Sequence, residues 1–212
     1  MDIRADAPAL LNGIYAIVNE GEPHPIALAR AALAGGVHVV QYRAKRGIVP
    51  EHARAIRELT RAHHALFILN DDWRAVETYD ADGVHVGPED ATPDELARIR
   101  AMLPDRIIGV SCGTEEEARS ARAAGADYIG VGSVYATTSK ADAGPPIGIA
   151  GLVRVARAAK LPVVAIGGIT LDSIAEIRAT RVAMAAVISA IGAAPDPQAA
   201  SVALVRAWNG AA

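Results

Sequence analysis

The sequence predicts a (β/α)₈ barrel of parallel strands. Eight short apolar segments alternate along the chain with eight longer amphipathic segments, and hydrophobic residues make up 51% of the 212 residues. The apolar segments are hydrophobic almost throughout, which is typical of strands covered on both faces. Strict alternation of strands and helices implies parallel pairing through right-handed crossovers. Eight such units can close into a barrel, and this chain has a length at the lower end of the range for that fold.

The predicted elements follow one another in regular order. We predict strands over residues 13–18, 37–43, 65–71, 83–87, 107–112, 128–133, 163–168 and 183–191. We predict helices over residues 25–34, 50–64, 73–79, 92–102, 114–124, 149–159, 171–180 and 197–208. Two of these helices begin with a strong signal, because Thr92 and Thr114 are each followed by acidic residues in the first turn. A hydroxyl cap and nearby acids satisfy the first backbone N–H groups and complement the helix dipole.

The main alternative is an open doubly wound sheet. That fold usually carries a glycine-rich turn after its first strand, and no such turn follows Val18. The sequence contains no linker-like stretch, so we expect a single barrel domain over residues 1–212. Residues 1–12 form either a flexible arm or a cover for the barrel floor.

Composition excludes several classes of function. The formal net charge is −3 and aromatic residues make up 4%, which argues against a general nucleic-acid binder. The single cysteine, Cys112, excludes an intrachain disulfide or a cysteine-rich zinc site. The first residues lack the pattern of a secretory signal, and no apolar segment is long enough to span a bilayer. We therefore expect a cytoplasmic protein with no nucleic-acid or membrane partner; homo-oligomerisation stays open.

The end of the second predicted strand carries an amide and two cations. Gln41, Arg43 and Lys45 are spaced two apart, so they share one face of a strand. Arg43 can grip phosphate oxygens with its forked guanidinium, and Lys45 can add a point charge. A solvated charge cluster is the simpler explanation. The alternation continues from inward-facing Val37 and Val39, which favours an anion site.

Acidic residues follow the third and fourth predicted strands. Mg²⁺ typically takes one or two carboxylates together with water and substrate phosphates, and we favour Asp71 and Asp90 as its ligands. Asp72 is instead a candidate cap for the helix that follows, and Glu89 is expected to face solvent. Acids beside a phosphate site would repel the substrate unless a cation lay between them.

The later strand ends carry hydroxyls and glycines. Ser111 can hydrogen-bond a phosphate or a ring nitrogen, whereas Cys112 should point toward the helices as a buried thiol. A paired glycine at a strand end lets backbone N–H groups approach a ligand, and barrel phosphate sites often use the loops after strands seven and eight. The candidate residues in these loops are Thr137, Thr138, Ser139, Lys140, Gly167, Gly168, Ile188 and Ser189. The six histidines show no metal-binding spacing, and we assign none of them.

Read together, these motifs resemble those of the thiamine phosphate synthase family. The matching segments are Gln41-x-Arg43-x-Lys45, Asn70-Asp71, Gly83-Val84-His85-x-Gly87-x-Glu89-Asp90, Gly109-Val110-Ser111, Thr137-x-Ser139-Lys140 and Ala165-Ile166-Gly167-Gly168-Ile169. Each motif is weak alone, but together they run in order from about Tyr15 to Ile191. The chain departs from the family in having Ser139 for threonine, Asn19 for an acid, and residues 179–184 in place of a glycine-containing stretch.

The resemblance implies a transferase that joins an aminopyrimidine diphosphate to a thiazole phosphate and releases pyrophosphate. It assigns the pyrimidine diphosphate to Gln41, Arg43, Lys45, Asn70, Ser111 and Lys140. It assigns Mg²⁺ to Asp71 and Asp90. It assigns the thiazole phosphate to Thr137, Thr138, Ser139, Gly167, Gly168, Ile188 and Ser189. Arg43, Lys45 and Lys140 then stabilise the charge that develops on the leaving pyrophosphate.

Three other functions compete with this one. A thiazole tautomerase of the sister family shares the barrel, but that family has a histidine after the strand-five serine, where this chain has Cys112 and Gly113. A phosphosugar epimerase or isomerase needs an acid/base pair across the barrel, which the sequence does not show. A non-catalytic barrel that senses a phosphate ligand is the third alternative, and the presence of Asp71, Asp90 and Lys140 argues against it.

Overall fold

A computed structural model shows a closed barrel of eight parallel strands in the part of the chain that it describes, residues 3–87, 92–139 and 144–211. Each strand pairs in parallel with the next strand along the chain. The eighth strand pairs with the first, with Gly13 opposite Met184 and Ala16 opposite Val187. This closure confirms the predicted barrel and excludes the open doubly wound sheet, which would leave two free edges.

The strands of the barrel are short and the helices lie outside them. The strands are β1 (Gly13–Asn19), β2 (Val39–Arg43), β3 (Leu66–Asn70), β4 (Gly83–Val86), β5 (Ile107–Cys112), β6 (Tyr128–Val131), β7 (Val163–Ile166) and β8 (Met184–Val187). The helices are α1 (Ile3–Leu10), α2 (Pro25–Ala34), α3 (Pro50–Ala62), α4 (Pro93–Met102), α5 (Glu115–Ala123), α6 (Gly148–Ala159), α7 (Ile174–Ala179), α8 (Ser189–Gly192) and α9 (Pro197–Asn209). None of the helices in the described ranges is long and apolar enough to cross a membrane.

The predicted caps are present where the sequence placed them. The hydroxyl of Thr92 accepts a hydrogen bond from the backbone N–H of Glu95. Thr114 and Glu117 form a reciprocal capping box at the start of α5. These bonds satisfy N–H groups that the first turn of a helix leaves without a partner.

Several predicted boundaries were wrong, each for a local reason. The expected helix over residues 73–79 is only a 3₁₀ turn, Trp73–Ala75, and Asp72 makes no side-chain cap there. A segment this short forms too few helical hydrogen bonds to offset the cost of nucleating a helix. The chain then turns at Asp80, which has a φ of 47°. The helix predicted from residue 171 begins at Ile174, because the Ser173 hydroxyl and the Thr170 backbone close a turn before it.

The second and last strands are also shorter than predicted. Strand β2 begins at Val39, and Val37 is buried between barrel and helices rather than inside the barrel. Strand β8 ends at Val187, after which the backbone turns at Ile188 into the four-residue helix α8. The atypical residues 179–184 lie at the entrance to β8, where Arg181 has a positive φ of 63°. That stretch therefore precedes the strand, whereas Ile188 and Ser189 follow its opposite end.

Buried apolar side chains form two separate clusters. The outer cluster fills the space between barrel and helices, and it includes Cys112, as the alternation on β5 predicted. The inner cluster fills the barrel and includes Tyr15, Ile68, Tyr128 and Met184. Ala7 and Leu11, within and just after α1, belong to this inner cluster. The N-terminal helix therefore takes part in the packing of the barrel interior. We call the end of the barrel at the amino ends of the strands the floor, and the end at their carboxyl ends the rim.

Candidate active site

The carboxyl ends of β2 and β3 bring the first group of candidate residues together. Tyr42 of β2 pairs with Leu69 of β3, so the next residues along, Arg43 and Asn70, end adjacent strands side by side. Just beyond them, Lys45 Nζ lies 2.5 Å from Asp71 Oδ2. Cationic and acidic candidates therefore share one rim of the barrel.

Two polar atoms in this group are buried without a hydrogen-bond partner among the described residues. They are Nε of Arg43 and Nδ2 of Asn70. Arg43 does use its Nη1, which donates to Asn19 Oδ1 at 3.2 Å. Buried donors without acceptors are rare in native proteins and call for an explanation such as a bound ion or ligand. Both atoms are donors, so an acceptor such as a phosphate oxygen would satisfy them. Nε of Arg57, away from this rim, also lacks a partner among the described residues, so the position of the two atoms at the strand ends is what points to a ligand.

Asp71 is held in a backbone conformation that few non-glycine residues adopt, with a φ of 62°. Its side chain is 26% exposed, and its Oδ1 lies 3.9 Å from the position that a Cβ on Gly87 would occupy. Gly87 is the last described residue before the segment that contains Asp90, which lies outside the described residues. Within the described ranges no group of three metal-ligating side chains occurs. One carboxylate beside cationic donors fits the sparse protein ligation that Mg²⁺ takes when a phosphate supplies other ligands.

A pocket of about 310 Å³ occupies the other half of the same rim, at the ends of β5 to β8. Its lining includes Ser111, Thr137, Ser139, Gly167, Gly168, Ile188 and Ser189. The Ser139 hydroxyl lies 3.5 Å from the Ser189 hydroxyl, so two loops meet at this pocket. Thr138 is exposed and does not line it. Lys140 lies outside the described residues.

Glycines at the end of β7 allow the pocket to form. Gly167 and Gly168 both have positive φ, 102° and 65°, which side chains rarely tolerate. A Cβ on Gly168 would lie 2.4 Å from the backbone oxygen of Ala136, in the loop that carries Thr137. On the other side of the pocket, α8 begins at Ser189 directly after β8. A short extra helix after strand eight is a common phosphate-binding element of this fold.

Polar side chains that the sequence analysis missed connect the two halves of the rim through the barrel interior. Gln41 Nε2 donates to Tyr15 Oη at 2.9 Å, and Tyr15 Oη lies 3.0 Å from Tyr128 Oη. Tyr128 Oη lies 3.1 Å from His85 Nδ1, and His85 Nε2 lies 3.0 Å from Ser111 Oγ. Burial is the main cause that raises the pKa of Tyr15 and Tyr128 above the ordinary value. Both phenols therefore stay protonated at neutral pH.

A signal for these residues was present in the sequence. Tyr15, His85 and Tyr128 interrupt strands that are otherwise aliphatic, and glycines lie on the neighbouring strands. Gly109 pairs with both His85 and Tyr128, and a Cβ on Gly109 would lie 2.0 Å from the Tyr128 ring. When a glycine on one strand pairs with a large ring on the next, the ring can occupy the space that a side chain on the glycine would fill.

Cys112 lies beside the pocket, but its side chain belongs to the outer core cluster. It is 4% exposed, and burial, followed by the charge of Glu117, raises its pKa to about 12. A thiol is a nucleophile only as the thiolate. Cys112 is therefore a packing residue rather than a nucleophile.

Comparison with known proteins gives a consistent family. A family model described as thiamine monophosphate synthase matches residues 14–191. The chain is 48% identical to a thiamine-phosphate synthase of Moorella thermoacetica, over 82% of this chain and 83% of that protein. It is 43% identical to a thiamine-phosphate synthase of Anaeromyxobacter dehalogenans, over 98% of this chain and 92% of that protein.

A solved structure agrees with the sequence comparisons. The thiamine phosphate pyrophosphorylase of Pyrococcus furiosus superposes with a TM-score of 0.84 at 36% identity, covering 95% of this chain and 96% of that one. Its fold, its length and its sequence all match over nearly the whole chain. The extent of these matches leads to one conclusion: this chain belongs to the thiamine monophosphate synthase family.

Proposed function

We propose that this chain is a thiamine phosphate synthase. It joins an aminopyrimidine carrying a diphosphomethyl group to a thiazole phosphate or carboxythiazole phosphate, and it releases pyrophosphate. The observation that carries the proposal is a pair of buried donors, Arg43 Nε and Asn70 Nδ2, at the carboxyl ends of β2 and β3, for which the described residues offer no acceptor. A diphosphate supplies several strong acceptor oxygens at such a place.

The pyrimidine diphosphate is assigned to the half of the rim at β2 and β3. Arg43, Lys45 and Asn70 bind the diphosphate, and Lys140 joins them in the proposal. Gln41 and Ser111 bind the pyrimidine ring from opposite ends of the interior hydrogen-bonded chain. The support is that the strands bearing Gln41, Arg43, Asn70 and Ser111 end at the same rim of the closed barrel. Lys140 lies outside the described residues.

We assign Mg²⁺ to Asp71 and Asp90. When bound, the ion neutralises charge on the diphosphate and on the pyrophosphate that leaves. The Lys45 ammonium lies 2.5 Å from the Asp71 carboxylate, so a proposed diphosphate ligand and a proposed metal ligand are side by side. A single exposed contact of this kind contributes little to the stability of the fold, so both groups are suited to binding substrate.

The thiazole phosphate is assigned to the pocket at the ends of β6 to β8. The hydroxyls of Thr137 and Ser139 and the backbone at Gly167, Gly168, Ile188 and Ser189 line the space. Thr138 stays in the proposed set, although its exposed side chain points to a lesser contribution. Hydroxyls and backbone groups of these six lining residues, from three loops, suit a phosphate monoester without adding a net charge to the barrel mouth.

With the thiazole phosphate, the proposed reaction breaks one bond and forms one; with the carboxythiazole phosphate, the carbon–carboxyl bond also breaks and CO₂ leaves. The bond between the pyrimidine methylene carbon and the diphosphate oxygen breaks, and its electron pair leaves with pyrophosphate. The thiazole nitrogen then supplies the electron pair for the new carbon–nitrogen bond. Arg43, Lys45 and Lys140 stabilise the charge on the leaving group. The nitrogen already carries its lone pair, so no protein base is required, and holding both substrates together supplies the remaining advantage.

The test is incubation of the protein with both substrates and Mg²⁺, followed by detection of thiamine phosphate and pyrophosphate. The proposal expects both products in equal amounts and no product in excess chelator. Full activity in chelator would remove the metal from the account. Interconversion of thiazole isomers without pyrophosphate release would instead indicate the tautomerase activity.

The proposal also covers the domain organisation, the cellular location and the partners of the protein. We propose that residues 1–212 act as one domain, with the N-terminal helix as the floor of the barrel. We also propose a cytoplasmic location, small-molecule substrates as the only partners, and no nucleic-acid or membrane partner. Cell fractionation tests the location, and sedimentation of the purified protein tests whether it forms a homo-oligomer.

A further inference from the structure

The last residues of β1 and β2 lie side by side at the rim, and their side chains are joined. Asn19 pairs with Arg43 in the register of the two strands. Asn19 lies two residues beyond Ile17, and Arg43 lies four residues beyond Val39. Both Ile17 and Val39 belong to the inner cluster, so alternation along a strand directs the two polar side chains toward the inside of the barrel mouth. There Arg43 Nη1 donates to Asn19 Oδ1 at 3.2 Å.

Arg43 differs from several other arginines in the charge of its partner. Arg46, Arg57 and Arg106 each form an ion pair with a carboxylate. Arg43 forms no ion pair with the residues that the structure describes, and its acceptor there is the neutral amide of Asn19. A neutral acceptor can orient a guanidinium without offsetting its charge, so the charge stays available to an anion.

The amide of Asn19 can serve Arg43 in only one of its two orientations. A guanidinium only donates hydrogen bonds and therefore needs the amide oxygen, whereas a carboxylate only accepts and therefore needs the amide nitrogen. Asn19 Nδ2 donates to Glu22 Oε1 at 3.4 Å, while Asn19 Oδ1 accepts from Arg43. The two neighbours together thus favour the orientation that Arg43 requires.

The turn after β1 holds Glu22 beside this amide. The backbone N–H of Glu22 donates to the Asn19 carbonyl at 3.2 Å. The carboxylate of Glu22 also lies against α8, because a Cβ on Gly192 would be 3.6 Å from Glu22 Oε1. Glu22 is partly buried, so its side chain is placed by the turn and by α8 rather than extended into solvent.

We propose that Asn19 and Glu22 are positioning residues for Arg43: Glu22 orients the amide of Asn19, and that amide orients the guanidinium toward the diphosphate. The role toward the diphosphate rests on the proposed function. The buried Nε of Arg43, for which the described residues offer no acceptor, is a donor that this orientation leaves for the ligand. Neither positioning residue needs to touch the substrate.

The first test is titration of the protein with inorganic pyrophosphate and Mg²⁺ in a calorimeter, which needs no synthase activity. Asn19→Ala removes the acceptor of Arg43 and should weaken binding about tenfold, the scale of a lost hydrogen bond to a charged group. Glu20→Ala is the matched control, because Glu20 belongs to the same turn but pairs with Arg46. It should not weaken binding. Equal affinity in Asn19→Ala and wild type, or equal weakening in the control, overturns the proposal.

A combined variant tests the orientation of the amide itself. Glu22→Ala leaves the amide nitrogen without its acceptor and should weaken pyrophosphate binding about threefold to tenfold. Asn19→Asp places a second carboxylate beside Glu22 and should also weaken binding, because the two like charges repel each other. An aspartate presents an oxygen to Arg43 whichever way it turns. Asn19→Asp combined with Glu22→Ala, which has the net charge of the wild type, should therefore bind more tightly than either single variant; binding weaker than both overturns the proposal.

Glu22→Gln separates the hydrogen bond of Glu22 from its charge. It removes the same charge as Glu22→Ala but keeps an oxygen that can accept from Asn19. We expect Glu22→Gln to bind pyrophosphate more tightly than Glu22→Ala, and equal affinity in the two would overturn the role of Glu22. Thermal unfolding of these variants should stay near that of the wild type, because both side chains are only partly buried. If Asn19→Ala does not fold, the order of affinities among the Glu22 variants still decides.

Arg43→Ala separates this inference from the proposed function. If Arg43→Ala weakens pyrophosphate binding and the Asn19 and Glu22 variants do not, the diphosphate site stands and the positioning role is wrong. If the wild type binds no pyrophosphate, or Arg43→Ala binds it equally well, the proposed diphosphate site and this inference are both wrong.

Discussion

Acidic side chains at the floor of the barrel have several hydrogen-bond partners, whereas Asp71 at the rim has few. On the floor side, Asp82 Oδ2 accepts from the backbone N–H of Phe67 and from Arg57 Nη1, both at 2.8 Å. Asp127 similarly binds the N–H of Ile108 and forms ion pairs with two arginines, Arg4 and Arg100. On the rim, the ion pair of Asp71 within the described part of the chain is with Lys45, whose side chain is 49% exposed.

The difference suggests a division of roles: acidic side chains at the floor stabilise the fold, and polar side chains at the rim are available to bind a ligand. Asp82 and Asp127 are each tied to the first residues of a neighbouring strand, so they fix how the strands enter the barrel. Among the described residues, the Asp71 carboxylate pairs with a half-exposed lysine, and the nearby donors of Arg43 and Asn70 lack acceptors. Barrel enzymes generally use the amino-terminal face for stability and the carboxyl-terminal face for chemistry.

The largest effect should come from breaking a floor contact. Asp82→Ala removes the acceptor of Arg57 Nη1 and of the Phe67 N–H, while Arg57 keeps its second partner, Asp80. Each of the two lost hydrogen bonds at a buried carboxylate costs about 1–3 kcal/mol. We expect the unfolding free energy to fall by the sum of these two costs in denaturant titration. Asp71→Ala is the matched rim variant and should change stability far less. Similar losses of stability in the two variants would contradict the division between floor and rim.

The second effect concerns turnover. Arg43→Ala removes a donor to the leaving pyrophosphate and should lower kcat about 10²- to 10³-fold, with a melting temperature close to that of the wild type. Arg46→Ala is the control, because Arg46 is 77% exposed in its side chain and pairs with Glu20. Steady-state kinetics of both variants measure the two changes in kcat. A loss of activity in Arg46→Ala as large as in Arg43→Ala would show that overall charge, rather than position, matters.

A third, smaller effect distinguishes glycines on the rim from glycines elsewhere. Gly168→Ala introduces a Cβ 2.4 Å from the Ala136 backbone oxygen, so the loop that carries Thr137 and Ser139 must move. We expect KM for the thiazole phosphate to rise about tenfold or more, on the scale of a lost ligand contact. Gly210→Ala, at the end of α9 with a φ of 74°, should lower stability without changing KM. A KM change in both variants, or in neither, would remove Gly168 from the site.

The smallest effect is expected at Cys112. Its raised pKa keeps the thiol protonated below about pH 12, so alkylation of the native protein should be slow at pH 8 and Cys112→Ala should keep near-normal turnover. The buried neutral thiol contributes stability below the ordinary thiol pKa, and that contribution is lost as the pH rises toward 12. Alkylation kinetics with and without denaturant test this. Rapid alkylation of the native protein with loss of activity would place Cys112 in the site.

The barrel could be predicted because its determinants are local and repeated. Eight apolar segments with intervening amphipathic helices leave few ways to pair, and caps such as Thr114 with Glu117 mark helix starts directly. The boundaries that failed depend on tertiary contacts. The turn at Ile188, which converts the end of a predicted strand into α8, is one example, since the apolar sequence there continues without a break.

The site could be predicted in part. Charged residues at strand ends, such as Arg43 and Asp71, are conspicuous because a closed barrel brings all strand ends to one rim. The interior network was missed because Tyr15, His85 and Tyr128 look like core residues in a single strand. Only strand register reveals that Gly109 lies between His85 and Tyr128. Register across a barrel depends on residues far apart in sequence, and one strand alone does not determine it.

Titration of the protein with inorganic pyrophosphate in a calorimeter tests the central claim most directly, because it needs neither the pyrimidine nor the thiazole. If the cations and the acid at the ends of β2 and β3 surround one diphosphate, binding should be strengthened by Mg²⁺, weakened about tenfold or more by Arg43→Ala, and made insensitive to Mg²⁺ by a combined Asp71→Asn and Asp90→Asn variant. Equal affinity in wild type and Arg43→Ala, with or without Mg²⁺, would contradict the account.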